Sequence, residues 1–526
     1  MDSEQPAAVE RSSLQSRIAR NSIWYLAEVA IGILATLATT ILIARTIGPA
    51  RLGYFNYIYW LSNTAGGLAS LGVPATTSKY MAEYLAGGEQ GVARTIFFFT
   101  LRAQSAIALT MTAIGLVLVF AFVDPAYRHA AIVLMAAMLV SMLALIPSMA
   151  NMGAEKVAAN TRAAFAGTVV YVLLVGLSLL LGWDLLGIAC AVFLSRLVEL
   201  AAKMVPVLGW VREVPAAELP AGVKKRMISF SRQNMVLLVL NLAVWDRSDM
   251  IFLRILQSDT RQLAFFSVAF SIVEKLLMAP QAFAAAVGVS QFYEYGRDRQ
   301  RLLRMTTTAA KYVCLCGLPM LAGAAAISAP LIGTLYGPRY LPMVRVFQMM
   351  AVFAIPRLVF LPAYNLLLAT DNQRSLVMWS CVCAGADVLL DLTLIPPFRA
   401  LGAAAANGLA QTLAAVGVWV IVGRCFSIHL DAAFLKRLTV ACAAMSAIVL
   451  AIAYGLHSWP AVVAGIGAGV AAFVLGLRFA SVLAVEDRKR LLSLERQMPA
   501  RIRILFREFV RFIAPRAEQA TGISES

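Results

Sequence analysis

The stretch "AAIVLMAAMLVSMLALIPSMANM" (residues 130–152) carries no charged side chain. About 20 mainly apolar residues wound as a helix cross about 30 Å of hydrocarbon. The stretch therefore reads as a membrane span. Composition extends that reading to the whole chain. Of its 526 residues, 60% are hydrophobic and 14% charged, against about 45–50% and about 25% in soluble domains. The opening "MDSEQPAAVERSSLQSRIAR" is polar and precedes a full-length apolar run, so no cleavable signal peptide is expected.

Working outward, spans are expected near 22–44, 55–77, 97–122, 130–152, 163–182, 185–208, 233–254, 263–289, 308–328, 342–369, 375–396, 402–423, 436–456 and 460–482. The fold class is an all-α polytopic membrane protein of about 14 transmembrane helices. An even count puts both termini on one side. With that side cytoplasmic, 32 of the 45 Lys and Arg fall on inner segments, eight on outer loops and five within spans. Lys and Arg collect on the cytoplasmic side of membrane proteins. The net charge of +17 is accounted for by this bias and does not call for nucleic acid.

Two stretches mirror each other, "ILIARTIGPARLGYFNYIYWL" (41–61) and "IFLRILQSDTRQLAFFSVAFSI" (251–272). Each closes a span, crosses a short loop with an arginine and opens the next span with aromatics. The expected organisation follows: a cytoplasmic segment (1–20), a six-helix bundle (21–211), a basic linker (212–232), a second six-helix bundle (233–424), two additional helices (435–482) and a basic tail (483–526). Repeats of this kind are common in transporters. In the tail, "ARIRILFREFVRFI" (500–513) places Ile502, Leu505, Phe506, Phe509 and Ile513 on one helical face, with Arg503, Arg507 and Arg511 away from it. That pattern suits a helix lying on anionic inner-leaflet lipid.

Charged groups inside spans are costly, at roughly +2.5 to +3.5 kcal/mol for Asp or Arg at a helix centre. The seventh span, read as one helix, sets Asn234, Asn241, Trp245, Ser248 and Asp249 within about 100° of arc. Asp246 lies about 60° beyond that edge and Arg247 points nearly opposite. In the eighth, Ser267, Ser271, Glu274, Met278 and Gln281 share a face, with Lys275 beside it. Arg102, Arg196, Glu199 and Arg357 add charges in the third, sixth and tenth spans. Glu28 shares a face with Asn21, Trp24 and Tyr25 in the first. Pairwise packing would explain some of these charges, and a wet cavity would explain the set. The seven cysteines, including the pairs Cys314/Cys316 and Cys381/Cys383, read as small packing residues: no histidine accompanies the pairs. No P-loop, HExxH or Ser-His-Asp set appears. Neither catalytic residues, a bound metal nor a cofactor is expected.

Several stretches resemble the polysaccharide-flippase branch of the multidrug/oligosaccharidyl-lipid/polysaccharide (MOP) exporter superfamily. "NSIWYLAEVAIGILATLATTILIARTIGPARLGYFNY" (21–57) is similar to its opening span and its loop, here Ala44, Arg45, Gly48, Pro49 and Gly53. "APLIGTLYGPRYLPMVRVFQMMAV" (329–352) resembles its ninth-to-tenth joint through Tyr336, Gly337 and Tyr340. "NLLLATDNQRSLVMW" (365–379) and "DVLLDLTLIPPFRALGAAAANGLAQTL" (387–413) look like its tenth to twelfth helices, with Asp387 and Asp391 where the family usually has Asn. The resemblance implies two helical bundles in a V around a central cavity. It implies movement of lipid-linked oligosaccharide, on undecaprenyl diphosphate, across a bacterial inner membrane by alternating access. Polymerase and co-polymerase proteins of polysaccharide assembly are the partners it implies. The candidate cavity residues are then Arg102, Arg247, Lys275, Arg357, Asn241, Trp245, Asp249, Glu274, Gln281 and Glu28. Arginine and lysine would hold the diphosphate, polar and aromatic groups the sugars, and carboxylates a coupling proton or sodium ion. The rivals are a peptidoglycan-precursor flippase and a multidrug or cation antiporter of the same superfamily. From a different class comes a membrane polysaccharide polymerase or ligase.

Overall fold

The computed structural model describes residues 5–70, 72–294, 298–370, 372–426, 428, 430–456, 458–494 and 500–513. Side chains are described at these positions except 5–31, 233–234, 236–238, 240–244, 289–290, 292–293, 485, 489, 493–494, 500–502 and 505. The chain divides into two compact units, residues 1–239 and 240–526.

The first unit contains α1 (Gln5–Ala69), α2 (Val73–Ala86), α3 (Gln90–Phe122), α4 (Arg128–Gly153), α5 (Val157–Leu180) and α6 (Asp184–Val211). Next comes α7 (Val223–Trp245), in which the first unit ends. The second unit contains α8 (Asp249–Leu256), α9 (Arg261–Glu294), α10 (Arg299–Ala326), α11 (Ser328–Leu335), α12 (Met343–Phe353) and α13 (Arg357–Ala369). It continues through α14 (Gln373–Phe398), α15 (Ala400–Phe426), α16 (Ala432–Gly455), α17 (Ser458–Phe479), α18 (Val485–Leu494) and α19 (Ala500–Ile513).

Twelve helices among the described residues are long and apolar enough to cross a membrane. Two features separate this count from fourteen. The first two expected spans run together as α1, although Gly48 (φ 75°, ψ 170°) breaks the helix between them. That left-handed φ is open to glycine at little cost. The seventh expected span is not one helix: α7 stops at Trp245, residues 246–248 are non-helical, and α8 begins at Asp249. The tenth divides in the same way at 354–356, where Pro356 precedes α13. Side chains such as Val117, 68% exposed, and Leu173, 66% exposed, give helices in both size and surface the character of a bilayer-facing wall. The chain is a multi-pass membrane protein.

Within hydrocarbon, helices gain little by hiding apolar surface from lipid, so close van der Waals contact decides the packing. In the first unit, Tyr80 and Met81 of α2, Ile96 and Phe97 of α3, Ile146 of α4 and Met227 of α7 form a buried cluster. A β-carbon added at Gly153 would fall 2.8 Å from the Ser78 carbonyl oxygen, so α2 and α4 meet there through glycine alone. In the second unit, Leu366 and Leu367 of α13 pack with Val418 and Val422 of α15. The indole of Trp379 from α14 occupies the place a side chain at Gly417 would need.

The two mirrored stretches differ at their joints: the first is a kink within one helix, the second a short loop between two. Gly48 turns the first, and residues 257–260 interrupt the second between α8 and α9. Beyond the last span, the tail is tied to the bundle. Asp487 accepts from Lys311 Nζ of α10 at 2.5 Å and from the Ala484 N–H at 2.8 Å, while Arg490 donates to Thr308. Val510 and Ile513 of α19 are buried, and Ile504, Phe509 and Phe512 are exposed. Of the expected lipid-facing set, Phe509 is exposed and Ile513 is buried, while the side chains of Ile502 and Leu505 lie outside those described.

Candidate functional site

The break at 246–248 decides how the polar groups of the seventh span are aimed. A straight helix would carry Trp245 and Asp249 on one face. Instead each side of the break serves a different neighbour within the second unit. Trp245 lies against Phe360 of α13, ring centroids 4.2 Å apart. The Arg357 guanidinium stands 5.4 Å from the Trp245 ring and is ion-paired with Glu274 of α9. Arg357 owes its place to Pro356, which starts α13 immediately before it. Lys275, the next residue along α9, is half-buried. Gln281 is also half-buried, two turns further along. Arg247 lies 5.3 Å over the Phe270 ring of α9. The helix break gives it this direction, where an unbroken helix would have turned it away.

On the other side of the break, Asp249 opens α8, where a helix N-terminus favours negative charge. It is fully buried. Asp387 and Asp391 of α14 are four residues apart and so share a helical face; they are 2% and 0% exposed. The three residues can bring one carboxylate oxygen each to within 4.8 Å of the others. Asn407 of α15 donates to Asp249 Oδ2 at 2.9 Å and to the Asp246 carbonyl at 3.2 Å, and is itself held by Gln411 at 2.9 Å. No Lys or Arg among the described residues forms an ion pair with the three carboxylates. One oxygen of Asp249, one of Asp387 and both of Asp391 are buried without a hydrogen-bond partner.

Three carboxylates this close and this dry would repel one another strongly if all were ionised. The donor set — carboxylate oxygens, with a backbone carbonyl nearby — suits protons or a hard cation of the sodium or calcium type. The Asn407–Gln411 pair fixes the pocket wall in the way outer hydrogen bonds orient ligands.

The first unit handles its charge differently. Arg196 donates to Glu199 at 2.7 Å and to the Tyr59 hydroxyl at 3.1 Å, and Lys203 donates to Glu199 at 2.7 Å. All three charges come from α6, one turn apart, and Tyr59 from α1 completes the set.

Of the candidate residues, the structure groups Trp245, Arg357 and Glu274, with Lys275 following in α9, and sets Asp249 apart in the acidic pocket. Arg102 is exposed on α3 and joins neither group. The side chains of Glu28 and Asn241 lie outside the described residues. Sequence reasoning left Asp387, Asp391, Asn407 and Gln411 off the candidate set. The signal was present: two pairs, each four residues apart, in otherwise apolar spans. Tyr59 and Lys203 were also missed, since a tyrosine and a span-end lysine look ordinary in sequence.

Residues 89–345, just under half of the chain, match the family model described as "Polysaccharide biosynthesis protein". No curated protein sequence gives a significant match. Among solved structures, the chain is similar to the lipid II flippase MurJ in an inward closed conformation. The TM-score is 0.70 at 11% identity, covering 86% of this chain and 98% of that one. It is also similar to an inward-facing multidrug resistance transporter of the MATE family and MOP superfamily (TM-score 0.63, 15% identity, 75% and 94% covered). A third likeness is to an MOP superfamily transporter from Pyrococcus furiosus described as having a binding pocket of reversed polarity (TM-score 0.56, 15% identity, 78% and 95% covered). The chain thus has the fold of the MOP superfamily and carries, over residues 89–345, the sequence pattern of polysaccharide biosynthesis proteins.

Proposed function

We propose that the chain is a flippase that moves lipid-linked oligosaccharide, on undecaprenyl diphosphate, from the inner to the outer leaflet of a bacterial inner membrane. The product serves exopolysaccharide, capsule or O-antigen synthesis. The observation that carries this reading is Arg357, held by Glu274 and braced on Trp245 inside the membrane-spanning part of the second unit. A guanidinium has five N–H donors in a fixed fork, so those not engaged by Glu274 can meet a diphosphate. The neighbouring indole offers a face for a sugar ring. The match to polysaccharide biosynthesis proteins supports the cargo class.

In this proposal the site opens alternately to the two sides of the membrane. The headgroup crosses in water and the lipid tail stays in the bilayer, with no bond made or broken. The acidic pocket of Asp249, Asp387 and Asp391 takes the coupling cation, a proton or sodium ion. Binding there neutralises charge that the fold otherwise leaves unpaired. Both termini face the cytoplasm in this reading, which the Lys/Arg bias supports, and α19 rests on anionic lipid through Ile504, Phe509 and Phe512. Polymerase and co-polymerase proteins would receive the product. A second reading, a peptidoglycan-precursor flippase, is favoured by the likeness to the lipid II flippase.

The test is polymer export in a strain lacking the protein, complemented at matched protein level. Arg357→Ala is expected to abolish export, and lipid analysis of the strain should show accumulated lipid-linked oligosaccharide. Full export by Arg357→Ala contradicts the assignment, and accumulated peptidoglycan precursor instead selects the second reading.

A further inference from the structure

A groove of about 520 Å³ runs along one face of α15 in the second unit. Its walls are Pro356 and Val359 on one side and Val416, Trp419, Val420 and Arg424 on the other. All but the last are apolar. Val416 and Val420 are 54% and 45% exposed, so the groove opens on the surface of the second unit. The Trp419 indole N–H donates to the Val359 carbonyl at 2.8 Å, which closes the floor and satisfies the only polar side-chain donor along its apolar length.

Two features say what fits there. The first is depth. Ala415 and Arg424 bound the groove along α15. Nine residues of helix cover about 14 Å, half of the about 30 Å of hydrocarbon. Val416 is near the middle of its span and Arg424 in its last turn, so the groove occupies one leaflet only. The second is charge. Arg424 is exposed, stands at the mouth and forms no ion pair with a described residue. Two residues further on, Phe426 carries the Arg299 guanidinium 5.6 Å from its ring. A lipid-facing slot, dry to the midplane and capped by guanidinium, matches an anionic lipid better than a zwitterionic one.

We infer that this groove between α13 and α15 binds an anionic phospholipid, one chain along the Val416–Val420 wall and the phosphate at Arg424. It holds a lipid of the leaflet at the Lys/Arg-rich end, which is the inner leaflet in the orientation proposed above. The site is independent of the acidic pocket and of the cargo assignment.

Trp419 supplies its own reporter. The full-length protein is reconstituted in phosphatidylcholine vesicles doped with either brominated phosphatidylglycerol or brominated phosphatidylcholine. Bromine quenches indole on contact, and the Trp419 contribution is the difference between wild type and Trp419→Phe. At equal doping, quenching by the brominated phosphatidylglycerol should be at least twofold greater. Arg424→Gln should equalise the two lipids, and Val420→Phe should fill the groove and lower quenching by both. Equal quenching of the wild type by the two lipids overturns the inference, because any lipid-facing surface would behave so. Preference retained in Arg424→Gln also overturns it. Loss of the preference on adding a polyprenyl diphosphate assigns the groove to a cargo tail and overturns the phospholipid assignment. The wild-type comparison decides the matter even if a variant fails to fold.

Discussion

The two units bury ionisable side chains to opposite ends. In the first, Arg196, Glu199 and Lys203 follow one another at successive turns of α6, with Glu199 2.7 Å from each cation, and Tyr59 takes a remaining donor. In the second, Asp249, Asp387 and Asp391 are collected without a basic partner among the described residues. The first arrangement shares one carboxylate between two cations and joins α1 to α6. The second gathers three carboxyl groups where α8, α14 and α15 meet. Leaving a buried charge uncompensated costs several kcal/mol, of order 3–5 when a partner is removed. In the reading proposed above, the coupling cation supplies the compensation that the second arrangement lacks.

The comparison can be broken in order of expected effect. Asp391→Asn should reduce export at least tenfold while leaving the melting temperature unchanged or raised, because replacing buried charge by neutral groups is often neutral or stabilising. Export assays and thermal melting of the same purified variant check this. A joint fall of stability and export would make the pocket structural, like its counterpart in the first unit. Next, Arg357→Lys should not restore the export lost in Arg357→Ala, since a point charge does not reproduce a guanidinium fork braced on Trp245; complementation assays measure it. Full rescue by lysine would reduce the site to net charge.

Glu199→Gln strips two cations of their carboxylate and should cost about 2 kcal/mol, below the range for a fully buried pair because Arg196 is 38% exposed. A lower melting temperature, with export reduced only in proportion to protein level, is the expected outcome. The second unit also holds pairs of opposite charge, Arg357–Glu274 and Lys311–Asp487, the latter with side chains 19% and 4% exposed. Asp487→Ala should destabilise by about 3 kcal/mol and make the tail after α17 more sensitive to protease than the spans. The smallest effect belongs to Arg102→Ala. Its exposed side chain joins neither cluster, so melting should stay within about 0.5 kcal/mol and export should be normal.

Spans were readable because hydrocarbon imposes a length and a composition that few other environments demand. Residues 130–152 needed no partner to declare themselves, and they fall within α4. The break at 246–248 was not readable in the same way. Asp246, Arg247 and Ser248 look alike in sequence whether the helix continues or stops, and only tertiary contacts such as Arg247 over Phe270 show that it stops. Helical arcs drawn across that break misdirected Arg247.

Pairing was hidden for a similar reason. Arg357 and Glu274 are 83 residues apart, and no local spacing links them. Asp387 and Asp391 were visible as a departure from asparagine, and their spacing already placed them on one face. Their meaning required Asp249, which lies more than 130 positions earlier and reaches them only through the short helix α8. The sixth-span network was partly visible, since Arg196 and Glu199 are neighbours on one helix, whereas Tyr59 comes from a different helix.

The most direct measurement uses vesicles that contain the purified protein and a labelled undecaprenyl-diphosphate oligosaccharide, with sodium or proton gradients imposed in turn. The account predicts that the label changes leaflet with its glycan intact. The rate should respond to one of the two gradients, and Asp391→Asn should abolish that response. Label that moves no faster than in protein-free vesicles, or a glycan recovered in altered form, would contradict it.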